Sequence, residues 1–200
     1  MTIKVLFVDL GNTLILSDIK QIYEKFEKEK NLPVELLRRV ICFEHAKQRT
    51  KNEVNEFLQQ IGINTQIYEE FRRELYNSEK RNENLIKLLE EICQNGIVIV
   101  LTTNNSDHLE SILEKYKINY LFDLIINSSQ AEVMKPNLSY WIYAFDQAKN
   151  LLPELQPKEI LVIDDNPDNC LSAQKFGMNS FQYLNEPGSE EKILTIIKYT

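Results

Sequence analysis

Four stretches of the chain are apolar without alternation: Ile3–Val8 (save for Lys4 near its start), Ile97–Leu101, Leu124–Ile126 and Ile160–Ile163. A strand wet on one face alternates apolar and polar residues, so an unbroken run is the mark of a strand buried on both faces, as in a parallel sheet covered by helices. Ser180–Leu184 is a weaker fifth run. From residue 97 onward, helix-period patterns lie between these runs, at Asp107–Tyr116 (with Leu109, Ile112 and Leu113 on one face), Leu138–Leu151 and Asn166–Phe176. Strand and helix alternating through short links predict a doubly wound α/β fold around a parallel sheet, with right-handed crossovers.

The first crossover breaks the pattern. About 80 residues separate Leu14 from Ile97, far more than one helix and its turns require. Helix-period segments fill this interval near Ile19–Lys30, Val34–Lys47, Asn52–Ile61 and Gln66–Tyr76, with no strand-like run among them. Pro33 suits a first helical turn and Gly62 a helix end. Glu83–Gln94, stopped by Asn95-Gly96, reads as the helix that returns to the sheet. The expectation is an all-helical insertion over 16–82, with 1–15 and 83–200 forming the α/β core.

Composition removes several classes of function. The 200 residues carry 30 Asp and Glu against 23 Lys and Arg, a net charge of −7, which argues against nucleic acid and anionic membrane as partners. The five glycines, Gly11, Gly62, Gly96, Gly177 and Gly188, are too far apart for a GxGxxG or GxxxxGK phosphate loop. Cys42, Cys93 and Cys170 suggest neither a disulfide framework nor a zinc site, so a reduced, cytoplasmic setting is expected. The opening MTIKVLFVDLGNTL has an Asp inside its apolar run and reads as no signal peptide. No apolar stretch reaches the roughly 18 residues of a membrane span.

In open α/β sheets, chemistry collects beyond the carboxyl ends of the strands. Asp9, Thr102-Thr103-Asn104-Asn105, Asn127 and Asp164-Asp165 follow the apolar runs. Asp9, leaving its strand into a Gly11-Asn12 bend, is a candidate nucleophile; a turn-initiating Asp would look the same. Asp164-Asp165 at another strand end changes the balance. Three carboxylates in one crevice repel one another, and a hard divalent cation, Mg²⁺ above all, resolves the repulsion. Asp165-Asn166-Pro167-Asp168 also suits a helix cap, and the two roles are compatible. Thr102 and the polar run after it can present a hydroxyl and backbone N–H groups to an anion ahead of a helix. Lys135-Pro136 offers a cation to a phosphoryl oxygen and to Asp9. Asn12, Thr103 and Asn104 are candidates for substrate contact. Arg49, in the basic cluster Lys47, Arg49 and Lys51 of the helical segment, is another.

Taken in order, FVDLGNTL, VLTTN, MKPN and LVIDDNPDN resemble the four motifs of the haloacid dehalogenase (HAD) superfamily of hydrolases, over the whole core. The resemblance implies a phosphatase-type site on a small phosphorylated metabolite, with Asp9 as nucleophile, forming an aspartyl-phosphate. Thr102 would be the second-motif hydroxyl and Lys135 the third-motif cation. Mg²⁺ would be held by Asp9, the Gly11 carbonyl and Asp165, with Asp164 beside them. Asn169 falls where many relatives carry a further acid. The helical insertion matches the family's cap, which closes over the crevice and sets substrate choice.

One departure stands out. The family's phosphatases usually read DxDGT, and here Gly11 replaces the second Asp, keeping its carbonyl while losing the carboxyl that acts as general acid and base. Such help is worth about 10²–10⁴-fold, most for alkoxide leaving groups. Asn12 tolerates the positive φ that the usual glycine would take. Branches with a DxGN first motif include sugar-phosphate phosphatases, so sugar phosphates are among the implied substrates. Two other readings stay open: a catalytically silent binding or regulatory protein, and a 2-haloacid dehalogenase, whose chemistry needs no general acid and no magnesium. His45 and His108 receive no role. Trp141, Tyr143 and Phe145 are expected to pack against the sheet.

Overall fold

The computed structural model describes residues 2–106 and 108–199. Five strands form one parallel sheet: β1 (Val5–Val8), β4 (Val98–Thr103), β5 (Leu124–Asn127), β6 (Ile160–Asp164) and β7 (Asn179–Gln182), in the order β5-β4-β1-β6-β7. Each apolar run of the sequence supplies one of them, and the weaker fifth run supplies the edge strand β7. Chain order reverses at β1, whose neighbours are β4 on one side and β6 on the other, so the carboxyl end of β1 is the switch point where an α/β sheet opens a crevice.

Alternation along the strands sorts the core into two layers. Leu6, Val8, Ile99, Leu101, Leu161 and Ile163 face the helices α5 (Glu83–Cys93), α6 (Leu109–Tyr116) and α10 (Ser189–Tyr199). Val5, Phe7, Val100 and Val162 face α8 (Leu138–Lys149) and α9 (Pro167–Phe176), against Tyr140, Trp141, Ala144 and Ala173. Trp141 is fully buried, Phe145 packs on Phe176, and Tyr143 turns outward at 38% exposure, so the expectation of a packing role fails for that residue. On a helix over a sheet, positions 141 and 143 point some 200° apart, and only one can face inward. Helix α6 begins at Leu109; Asp107, where the sequence pattern starts, lies outside the described residues.

The long crossover holds α1 (Ile19–Lys30), α2 (Val34–Ala46), α3 (Lys51–Gln60) and α4 (Thr65–Ser78). Their apolar faces meet in a separate core around Phe26, Leu37, Val40, Leu58 and Phe71. No strand interrupts these helices, but a short antiparallel ribbon of β2 (Ile15–Leu16) and β3 (Lys80–Arg81) brackets them, at the ends of the 16–82 interval expected to be all-helical. Two residues are too few to show a period in sequence. The ribbon is moored by Asn82, whose amide nitrogen donates to the Thr13 carbonyl and the Tyr183 hydroxyl, both at 2.8 Å. Among the described residues, no helix is long and apolar enough to cross a membrane.

Candidate active site

The register of the sheet assembles the site. Val8 of β1 pairs with Leu101 of β4 and with Ile163 of β6, so the next residues, Asp9, Thr102 and Asp164, leave the sheet in one row. Alternation turns all three to the face covered by α8 and α9. The segment that leads into α8 carries Lys135, joined to Pro136 by a cis peptide, onto that row. The Lys135 Nζ donates to Asp9 Oδ1 at 2.7 Å, to Asp164 Oδ2 at 2.6 Å and to the Thr102 carbonyl at 2.8 Å. An ammonium has three protons, and each has an acceptor. Burial works against the Lys135 charge, but Asp164 and Asp9 outweigh it and keep the group protonated.

The peptide of Lys135 is fixed as firmly as its side chain. Asn104 uses its amide as a two-point clamp, accepting the Lys135 N–H and donating to the Lys135 carbonyl, both at 2.9 Å. Ser172, on α9, donates to the Pro136 carbonyl. Asn104 is therefore engaged with the third-motif segment through both polar atoms of its side chain, an arrangement for positioning rather than for touching a substrate.

Asp164 is fully buried and well satisfied. Its Oδ1 accepts the Asn166 N–H at 3.0 Å and the Asn169 amide at 2.9 Å, while Oδ2 takes Lys135. Asp165 is half-buried and lies at the mouth. Burial, followed by the repulsion of Asp164, raises its pKa above the ordinary carboxylate value, and a hydrogen bond from the Asn12 side chain acts in the opposite direction. Asn12 has φ of 53°, in the left-handed region that its sequence position predicts. Its Oδ1 accepts the Ser17 hydroxyl at 3.0 Å, so this side chain braces the loop and reaches Asp165.

Asp9, Asp164 and Asp165 can each bring a carboxylate oxygen within 4.8 Å of the other two. With one lysine among three carboxylates, the cluster is short of positive charge. Burial pushes the Asp9 carboxyl up to about 7, against the pull of Lys135 and with the repulsion of Asp164 and Asp165 added. An all-oxygen donor set with surplus negative charge fits a hard divalent cation. The Thr102 Oγ1 and the Asn169 Oδ1, both buried, have no protein partner among the described residues, leaving polar atoms at the site for a ligand shell.

Thr103 ends β4, and alternation turns it to the opposite face from Thr102. Gly11 is exposed, and a Cβ built on it would meet nothing within 4 Å, so neither backbone conformation nor crowding requires glycine there. Arg49 stacks on the Phe43 ring of α2 at 4.0 Å and lies 3.5 Å from Glu53 of α3, both partners within the helical segment. Lys51 is an exposed partner of Glu69. Sequence reasoning passed over Ser128 and Ser172; the polar run Asn127-Ser128-Ser129 after the third apolar run was the available signal for the first.

A family model for haloacid dehalogenase-like hydrolases matches residues 10–182. The chain belongs to that family of hydrolases. No curated protein matches it. Among solved structures, a predicted HAD-like family hydrolase from Porphyromonas gingivalis superposes with a TM-score of 0.80 at 16% identity, over 100% of both chains. A HAD family enzyme from Bacteroides thetaiotaomicron, solved in complex with magnesium and inorganic phosphate, has a TM-score of 0.69 at 22% identity, over 92% of this chain and 96% of the other. An L-2-haloacid dehalogenase gives 0.66 at 13% identity, over 99% and 100%. At such identities the likeness is one of fold.

Proposed function

We propose that the protein is a magnesium-dependent phosphohydrolase acting on a small phosphorylated metabolite, a sugar phosphate among the candidates, through an aspartyl-phosphate at Asp9. The observation that carries this reading is the set of three carboxylates, Asp9, Asp164 and Asp165, gathered within 4.8 Å around a single buried lysine. The magnesium enzyme from Bacteroides thetaiotaomicron, with phosphate bound, supports it through its fold.

Asp9 is the nucleophile, standing at the switch point with one oxygen held by Lys135 and the other left to attack phosphorus. Asp9, Asp165 and the Gly11 carbonyl are the residues that would hold Mg²⁺, which supplies a Lewis acid that neutralises phosphoryl charge and keeps the nucleophile ionised. Lys135 is aimed by Asp164 and by the Asn104 clamp, so its charge is preorganised where negative charge develops. Asp164 serves chiefly as the counter-charge of that lysine, its oxygens already accepting from Lys135, Asn166 and Asn169. Thr102 offers its unpartnered hydroxyl to a phosphoryl oxygen. Residues 16–82 act as the cap. With Gly11 in place of a carboxylic acid, leaving groups that depart without protonation, such as aryl and acyl phosphates, are favoured.

Halide displacement from a 2-haloacid would need neither a general acid nor a cation, and three packed carboxylates are a poor design for a metal-free site. The test is an assay of the purified protein with an aryl phosphate, with and without Mg²⁺, beside Asp9→Asn. Metal-dependent turnover that is lost in the variant is the expected result. Metal-independent halide release from a 2-haloacid would overturn the reading, and Mg²⁺ binding with no turnover on a broad phosphate panel would point to a silent binding protein.

A further inference from the structure

The helical segment touches the strand-end loops at a polar contact outside all four motifs. Ser128, the first residue of α7 (Ser128–Ala131), is fully buried. Its hydroxyl donates to the His45 carbonyl at 2.7 Å and accepts the Asn105 N–H at 3.1 Å. Beside it, the Gln48 N–H donates to the Ser129 carbonyl at 3.1 Å. His45 and Gln48 lie at the turn from α2 to α3, whereas Asn105 belongs to the loop after β4. One hydroxyl, with its single proton on one side and a lone pair on the other, bridges the two.

That loop is held at three successive residues. Asn104 clamps the Lys135 peptide, the Asn105 N–H rests on Ser128, and the Ser106 carbonyl accepts the Asn127 amide at 2.9 Å. Asn104 and Asn105 share a peptide bond, so a change at the Ser128 contact is one residue away from the clamp that sets Lys135. If the turn at His45 lifts, the Ser128 hydroxyl loses its acceptor in a buried setting, and the loop relaxes to find the proton another.

We infer that Ser128 is a positioning residue that couples seating of the helical segment to placement of Lys135. It acts through Asn105 and Asn104 and touches no reacting atom. Its catalytic consequence rests on the phosphohydrolase reading; the coupling itself does not.

The test uses the full chain, as wild type, Ser128→Ala and Ser128→Cys, the last keeping the size with a weaker donor. Hydrogen–deuterium exchange and steady-state kinetics on 4-nitrophenyl phosphate with saturating Mg²⁺ are measured together. In Ser128→Ala, exchange at the Gln48 and Asn105 amides is expected to accelerate together by about tenfold, the equivalent of one lost hydrogen bond, with β1 and β6 unchanged. The kcat is expected to fall by about five- to tenfold with little change in KM, as for an interaction that matters in the transition state. Ser128→Cys should lie between, and it carries the same comparison if Ser128→Ala does not fold. Acceleration at Gln48 alone, or a raised KM with kcat unchanged, would reduce Ser128 to a simple anchor and overturn the coupling. If the wild type hydrolyses no phosphate, the proposed function falls. Joint acceleration would then still sustain the coupling, and independent exchange at the two amides would overturn it.

Discussion

The Lys135 ammonium lies 2.6 Å from Asp164, and neither side chain is exposed to solvent. Removing one member of a buried pair leaves the other charged and unpartnered, at about 3–5 kcal/mol. Lys135→Met strands both Asp164 and Asp9, so urea unfolding should show a loss of that order. Asp164→Asn should cost less, because Asp9 still faces the ammonium at 2.7 Å. Equal losses would mean that Asp9 contributes nothing to holding the lysine.

Gly11→Asp tests the missing acid directly. Open space around the Gly11 Cβ position means that the new side chain needs no backbone adjustment. Turnover of alkyl phosphates is expected to rise by about 10²-fold, the lower range of general acid–base help, with a much smaller gain on aryl phosphates. The ratio of the two gains is the measurement, and equal gains or equal losses would assign Gly11 a different duty.

Asp165→Asn should weaken Mg²⁺ binding by at least about tenfold in calorimetric titration, since it removes a charged oxygen from the mouth of the cluster. Asp164→Asn should weaken it less, because the Asp164 oxygens already serve Lys135, Asn166 and Asn169. The reverse order would make Asp164 the principal ligand.

His45 gives the fold a pH dependence. Burial foremost, with Arg72 adding to it, pushes its pKa from 6.5 down to about 4. Between those values the unfolded chain binds a proton and the folded chain does not, so stability is complete above pH 6.5 and declines as the pH falls toward 4. The contribution is on the order of 2 kcal/mol for this partly buried side chain. Urea midpoints at pH 7.5 and 4.5 should diverge more for the wild type than for His45→Gln; parallel shifts would assign the acid sensitivity to other groups.

Much of the fold was legible because burial on both faces leaves an unbroken apolar run. Ile3–Val8 and Ile160–Ile163 announced strands, and the polar residues that stop them fell in one row because parallel pairing keeps register. The helical segment was legible through its period and through Pro33 and Gly62. The β2–β3 ribbon was not, since two residues carry no period. The meeting of Asp9, Lys135 and Asp164 follows from register and alternation once the strands are known. The engagements of Asn104, Arg49 and Ser128 did not follow, because an amide, a guanidinium or a hydroxyl can satisfy itself on any nearby backbone, and sequence does not say which. Gly11 was visible as a departure, but the open space beside it belongs to three dimensions.

The ribbon of Ile15–Leu16 against Lys80–Arg81 brings the chain out of the sheet and back at adjacent points. Paired strands lie about 5 Å apart, a gap that a two-residue turn can close. The helices beyond it have a core of their own around Phe26 and Phe71, which among the described residues shares no member with either layer of the sheet. A foreign bundle that kept a carbonyl to accept the Ser128 hydroxyl could be spliced onto the same two strands without repacking the sheet or shifting the register that gathers the carboxylates. In such an architecture the helical segment and the strand-end chemistry are separately heritable except where α2 meets α7, and a lineage that exchanges the first must preserve the Ser128 contact to keep the second.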